Sequence, residues 1–108
     1  MKTSELTGPA LDWAVAKCEG IDSEAARLFH DEGYYNYSTN WSQGGPIIER
    51  NGLSVWGVYD AENFESKCVS VSGWESGRYE GPTPLIAAMR CFVASKLGDE
   101  VDVPDELT

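Results

Sequence analysis

Thr83-Pro84 at one end and Gly98 at the other enclose the segment that most constrains what this chain can fold into. A threonine hydroxyl satisfies a free amide of the first helical turn, proline is tolerated at the first helical position because its missing donor is not needed there, and glycine ends helices in conformations other residues avoid. Lys96 falls in the final turn, where a cation complements the helix dipole. Together these predict a helix over 84–97. Leu85, Met89, Phe92, Val93 and Leu97 form its main apolar stripe, and Ile86, Ala87, Ala88 and Ala94 widen that stripe enough for close packing.

A second helix is predicted over about 8–19, with Thr7 as its cap, Gly8-Pro9 in its first turn and Gly20 at its end. Leu11, Ala14, Val15 and Cys18 recur at three- and four-residue spacing and make one apolar face. Residues 22–30 hold a weaker helical signal, with Ser23 as cap and Ala25, Leu28 and Phe29 facing inward. From Gly33 to Gly45 aromatics alternate with turn formers, which suits a loop with a short edge strand. Pro46 to Gly52 admits two readings, a short helix bracketed by Pro and Gly or a hairpin turned at Asn51-Gly52, and the helical turn is the preferred one. Leu53 to Tyr59 is a strand. Asp60-Ala61-Glu62-Asn63 turns into a second strand from Phe64 to about Trp74, and Glu75-Ser76-Gly77 turns toward a third at Arg78 to Glu80. These connections are too short for parallel crossovers. The expected fold is therefore α+β: a small antiparallel meander of about three to four strands covered by two main helices, 8–19 and 84–97.

A length of 108 residues allows one core, expected over 1–98, with residues 99–108 as an acidic tail that frays. Eighteen acidic side chains stand against eight basic ones, a net charge of -10. A surface this acidic repels phosphate backbones and anionic lipid, so neither nucleic acid nor membrane is an expected partner. The tail holds five acids and no base, leaving thirteen acids against eight bases in residues 1–98. Half of the imbalance thus sits on the last ten residues. Cys18, Cys68 and Cys91 are odd in number and widely spaced, and no apolar run has the length of a secretory or membrane-spanning segment, so a reduced cytoplasmic setting is expected. Cys18 and Cys91 fall on apolar stripes and read as core residues.

The residues supply little chemistry. His30 is the only histidine, which excludes a paired-histidine metal site and leaves only a Cys-His pairing, for which nothing in the spacing argues. Carboxylate pairs are too plentiful to be informative, and no Asp-x-Asp-x-Asp-Gly loop is present. Gly44-Gly45-Pro46 and Gly81-Pro82-Thr83-Pro84 precede helical segments, but their prolines remove donors that a phosphate would need. No catalytic residue, metal or cofactor is expected. Tyr34, Tyr35, Tyr37 and Trp41 are the candidate contact residues, either as anchors in a protein interface or as a stacking platform, against the plainer alternative that they pack over the sheet. Asp31, Glu32, Asp60, Glu62 and Glu65 are the acidic candidates beside them.

Three stretches carry a resemblance to a known family. The first is Thr3-Ser4-Glu5-Leu6-Thr7-Gly8 leading into Leu11-Asp12-Trp13-Ala14-Val15-Ala16-Lys17 and ending in Glu19-Gly20. The second runs Tyr37-Ser38-Thr39-Asn40-Trp41-Ser42-Gln43-Gly44-Gly45-Pro46-Ile47-Ile48-Glu49-Arg50. The third begins Gly81-Pro82-Thr83-Pro84-Leu85-Ile86-Ala87-Ala88-Met89-Arg90-Cys91 and resumes at Ser95-Lys96-Leu97-Gly98-Asp99-Glu100-Val101. Together these stretches resemble the NinX-like phage proteins, and they cover more than half of the chain. The resemblance implies a phage or prophage gene product with a small sandwich of helices and sheet, in a family of undefined biochemical role, and it carries over no catalytic residues. Two expectations of different class follow. One is a non-enzymatic, counter-defence inhibitor of the anti-CRISPR kind, its acids standing in for phosphates in a basic groove of a host nucleic-acid-handling protein. The other is a small-molecule module or enzyme built on the aromatic loop. A phage regulatory or assembly factor is the blander alternative to the first.

Overall fold

The computed structural model describes residues 1–22, 24, 25, 35–59, 64–70 and 79–107. In chain order it has a 3-10 turn at Thr3–Glu5, helix α1 (Gly8–Cys18), helix α2 (Trp41–Asn51), strands β1 (Leu53–Tyr59), β2 (Phe64–Ser70) and β3 (Tyr79–Gly81), helix α3 (Pro84–Leu97) and a 3-10 turn at Asp105–Leu107. The strands are hydrogen-bonded in the order β1-β2-β3, antiparallel at both junctions, with Val55 opposite Cys68 and Cys68 opposite Tyr79. The result is one compact unit of mixed α and β. Its radius of gyration of 13.1 Å is that of a fully folded chain of this length, about 13 Å.

α3 is the hub. Leu85, Ala87, Ala88, Met89, Cys91, Phe92, Val93 and Ala94 are all buried, because α1, α2, all three strands and the first 3-10 turn touch this one helix. Its start is as expected, with the Thr83 hydroxyl accepting from the Ile86 amide at 3.1 Å. Arg90 turns from the apolar stripe to tie two neighbours to it: Nε donates to the Leu6 carbonyl and Nη1 to the Glu80 carbonyl, each at 2.7 Å. α1 lies against α3 with Leu11, Ala14 and Val15 fully buried. Thr7 stands at its N-cap position but its side chain makes no capping bond.

Three expectations need correcting. The stretch expected as a loop with an edge strand ends at Asn40, and a full helix replaces the single turn expected from Pro46. Asn40 is the reason: its side chain accepts from the Ser42 amide at 2.9 Å and starts α2 five residues before the proline. Pro46 lies inside this helix; it offers no amide to the Ser42 carbonyl four residues back, and Ser42 is an exposed residue, where water can take the place of that bond. Gly52 closes α2 in the left-handed conformation. At residues 22–25 the capping acceptor is Asp22, which takes the Glu24 amide at 2.8 Å and the Ala25 amide at 3.3 Å; Ser23 and the rest of that predicted helix to His30 lie outside the described residues. The part of the second predicted strand beyond Ser70 does so too.

The third correction concerns the carboxyl-terminal residues, expected to fray. Residues 99–107 form a strap laid along the amino-terminal segment. The Thr3 amide donates to the Asp99 carbonyl at 2.8 Å, the Val101 amide to the Met1 carbonyl at 2.9 Å, and Lys2 and Glu100 form an antiparallel bridge. Val101 and Leu107 enter the core at 4% and 6% exposure. Burial of these two side chains, about 1.5–3 kcal/mol for each if complete, is what a charge count of the tail leaves out.

Candidate functional site

Among the described residues two surfaces remain as candidates once the core is drawn, and they lie in different parts of the fold. The first is the corner before α2. Thr39 and Asn40 amides both bond the Asn36 carbonyl, at 3.1 and 2.8 Å, closing a tight turn over Tyr37–Thr39. Gln43 reaches back to accept from the Asn36 amide at 2.8 Å. The corner is tied to α1 by Asp12, whose Oδ1 accepts from the Ser38 amide at 2.8 Å in a buried setting. Asp12 is 6% exposed. Burial raises its pKa, opposed by its Ser38 contacts. The Ser38 hydroxyl is buried and makes no well-formed hydrogen bond.

The aromatic candidates separate here. Tyr35 and Tyr37 are partly buried against the core and stack on each other, with ring centroids 6.4 Å apart and planes 15° apart. Burial, followed by the charge of Glu19, pushes the Tyr37 pKa up. Trp41, by contrast, is 56% exposed. It rims an open depression of about 220 Å³ lined by Ser38, Thr39, Thr83, Leu85 and Ile86. So Tyr35 and Tyr37 behave as packing residues and Trp41 stands out to solvent; the three do not make one stacking platform. Tyr34, Asp31, Glu32, Asp60 and Glu62 lie outside the described residues, and Glu65 is placed only as the partner of Val58 on β2.

The depression does not assemble a reaction centre. Its lining is three hydroxyl residues and apolar side chains, and its volume is below the roughly 300–1,000 Å³ of ordinary ligand pockets. The Cys18 thiol is pushed up to about 11, chiefly by burial, so it is protonated and a poor nucleophile at neutral pH. Cys91 is buried in the core. Among the described residues no group of three or more His, Cys, Asp or Glu is placed to hold a metal ion, and no helix is long and apolar enough to cross a membrane.

The second surface is the strap. Asp99, Glu100, Asp102 and Asp105 are exposed, while Val101 and Leu107 are buried and Val103 is partly so. Outward and inward residues thus alternate over 100–103, as on an edge strand. The Tyr79 hydroxyl donates to Asp99 Oδ1 at 3.1 Å, which fixes one of the carboxylates, and burial together with that carboxylate raises the Tyr79 pKa. Between the strap and the amino-terminal segment lie two shallow depressions, of about 340 Å³ beside Lys2, Ser4 and Tyr79 and about 300 Å³ beside Met1 and Asp102. The strap acids were counted in the sequence as tail charge and not as site residues; the Val101-Asp102-Val103 alternation and Leu107 were the signal for an ordered segment.

No curated protein matches the chain. A family profile does, over residues 2–96. That stretch holds both tied ends of the aromatic corner and every helix and strand described above, except for the last residue of α3. It stops short of the strap. On this match the chain belongs to the family described as Bacteriophage P22, NinX.

Proposed function

We propose that this phage-family protein is a non-enzymatic binding protein that docks its acidic strap against a basic surface of a protein partner in the bacterial host cytoplasm. The observation that carries the reading is the strap's ordered backbone. Asp99, Glu100, Asp102 and Asp105 are exposed on a segment whose Val101 and Leu107 side chains are already seated in the core. Acids on a fraying tail would have to be ordered at the moment of binding, at about 1–2 kcal/mol of backbone entropy per residue. Acids on a docked strap have met that cost in folding, which leaves more of the Coulombic attraction for the partner.

The finer form of the proposal is a counter-defence inhibitor that occupies a groove built for a nucleic-acid backbone. A net charge of -10 and membership of a phage family support it. A regulatory or assembly factor that engages another phage protein is the alternative, and the exposed Trp41 favours it, because an exposed indole suits an apolar partner better than a phosphate-binding groove.

The test is capture from host lysate on the immobilised protein at low salt, with release by a salt step. The proposal expects nucleic-acid-handling proteins in the salt eluate, and their loss when Glu100→Gln, Asp102→Asn and Asp105→Asn are combined. Recovery of none, or equal recovery by the neutralised variant, contradicts it. Loss on Trp41→Ala with indifference to the strap changes would move the site to the aromatic corner.

A further inference from the structure

We infer that the depression between the starts of α2 and α3 binds a carboxylate carried beside an apolar side chain, as at the carboxyl end of a peptide. Both helices begin at its rim. Ser38, Thr39 and Trp41 border it from the α2 side, and Thr83, Leu85 and Ile86 from the α3 side. Gly44 lets the two starts approach, since a Cβ there would lie 2.5 Å from Leu85 Cδ1. Each helix N-terminus carries the equivalent of roughly half a positive charge, so two that meet favour an anion more than either does alone.

The donors left over in this corner match the two oxygens of a carboxylate. At the start of α2 the Asn40 side chain takes the Ser42 amide at 2.9 Å, and the Asn40 carbonyl takes those of Gln43 and Gly44 at 3.0 and 2.9 Å. At the start of α3 the Thr83 hydroxyl takes the Ile86 amide and the Thr83 carbonyl the Ala87 amide, each at 3.1 Å. The amides of Trp41 and Leu85 remain, bonded to no acceptor among the described residues, because the first positions of a helix have no intrahelical partner. Pro84 has no amide, which leaves too few donors to surround a phosphate but enough for a carboxylate. The Thr83 hydroxyl already accepts, so its proton is left to donate.

Ser38 marks the corner as more than two helix ends. It lines the depression at 2% exposure, and its hydroxyl, beside Asp12, completes no well-formed bond. An interior hydroxyl without a partner is destabilising, and a ligand oxygen seated here supplies the missing partner. Trp41, Leu85 and Ile86 form an apolar wall beside these donors, and none of the six lining residues is acidic. Asp12 uses its Oδ1 on the Ser38 amide. Backbone amides that capture a terminal carboxylate are one mode of peptide recognition. An open depression of about 220 Å³ suits an end group whose chain leaves over Trp41, whereas a free metabolite needs walls on more sides. The inference does not rest on the strap, and either can fail without the other.

Titration of the full chain at neutral pH with N-acetyl-Ala-Ala-Leu, followed by proton–nitrogen correlation NMR, tests it. The same peptide with an amidated end, and isocaproate as a free acid, are the comparison probes. The acid peptide is expected to give saturating shifts at the Trp41 and Leu85 amides and the Trp41 indole, and the amidated peptide to bind at least about tenfold more weakly. Ser38→Ala and Thr39→Val, each shown to be folded by unchanged shifts outside the corner, are expected to weaken the acid peptide several-fold and to change the amidated one little. No saturation at Trp41 and Leu85, equal binding of acid and amide, or full affinity in both variants overturns the inference. Isocaproate binding as tightly as the acid peptide overturns a peptide end as the ligand.

Discussion

α3 and the strap meet at Gly98, and they stay ordered by opposite means. α3 is apolar over most of its circumference and touches nearly every other described element, so its order follows from burial. The strap is mostly charged, is buried at two well-separated side chains and borrows backbone partners from the amino-terminal residues. A helix held from all sides shows little of itself to solvent, whereas the strap keeps Asp99, Glu100, Asp102 and Asp105 exposed. The exposed charge therefore falls on the element with the smaller buried hold, and it is there that the proposed partner would dock.

Phe92→Ala should have the largest effect, because it opens a cavity in the element on which the rest is packed: a loss of about 3–5 kcal/mol in denaturant unfolding. A loss below about 1 kcal/mol would remove α3 from its place as hub. Gly44→Ala should come next. A Cβ there would lie 2.5 Å from both Leu85 Cδ1 and the Tyr37 carbonyl oxygen, so α2 would have to move away from α3, at about 1–3 kcal/mol. Thermal melts of the variant should show a clear drop, and an unchanged midpoint would mean that the two helices are not in close contact.

Gly98→Ala bears on the boundary itself. It places a Cβ in a backbone region that other residues rarely adopt, at a cost on the order of 1 kcal/mol, and the loss should appear at Val101 and Thr3 in hydrogen exchange while Phe92 is little changed. Equal loss at all three would show that strap and helix open as one. The smallest effect should be that of Asp12→Asn. Burial raises the Asp12 pKa, so ionisation is harder in the folded chain than in the unfolded one, and the stability this group supports declines as pH rises through its folded value. Asparagine keeps an acceptor for the Ser38 amide with no charge to bury. Melts should show the variant matching the parent at low pH and modestly more stable at pH 7, and a less stable variant at pH 7 would mean that the charge itself holds the corner.

How much of this was legible beforehand varied with the kind of signal. α3 was readable to the residue because cap, proline, stripe and terminal glycine all agree. α2 was missed as a helix because Gly44-Gly45-Pro46 lowers its propensity, and what overrides that is local and tertiary: the Asn40 cap and the seating of Ile47 against the core at 1% exposure. The aromatic candidates looked alike in sequence, and their separation into packed Tyr35 and Tyr37 and exposed Trp41 depends on contacts between distant segments. Asp12 gave no sign of burial, because its partner amide is twenty-six positions away. The strap was read by its charge. Its order depends on Val101 and Leu107 and on backbone partners at the far end of the chain, which composition does not report.

The claim on which the account most depends is that the strap acids sit on a fixed backbone. Backbone relaxation measured by NMR across residues 84–108 tests it directly. The account predicts order parameters near the rigid value of about 0.85 through α3 and at Asp99 to Val101, staying well above the flexible range as far as Leu107. A fall below about 0.6 immediately after Gly98, at moderate salt, would return the acids to a free tail and contradict it.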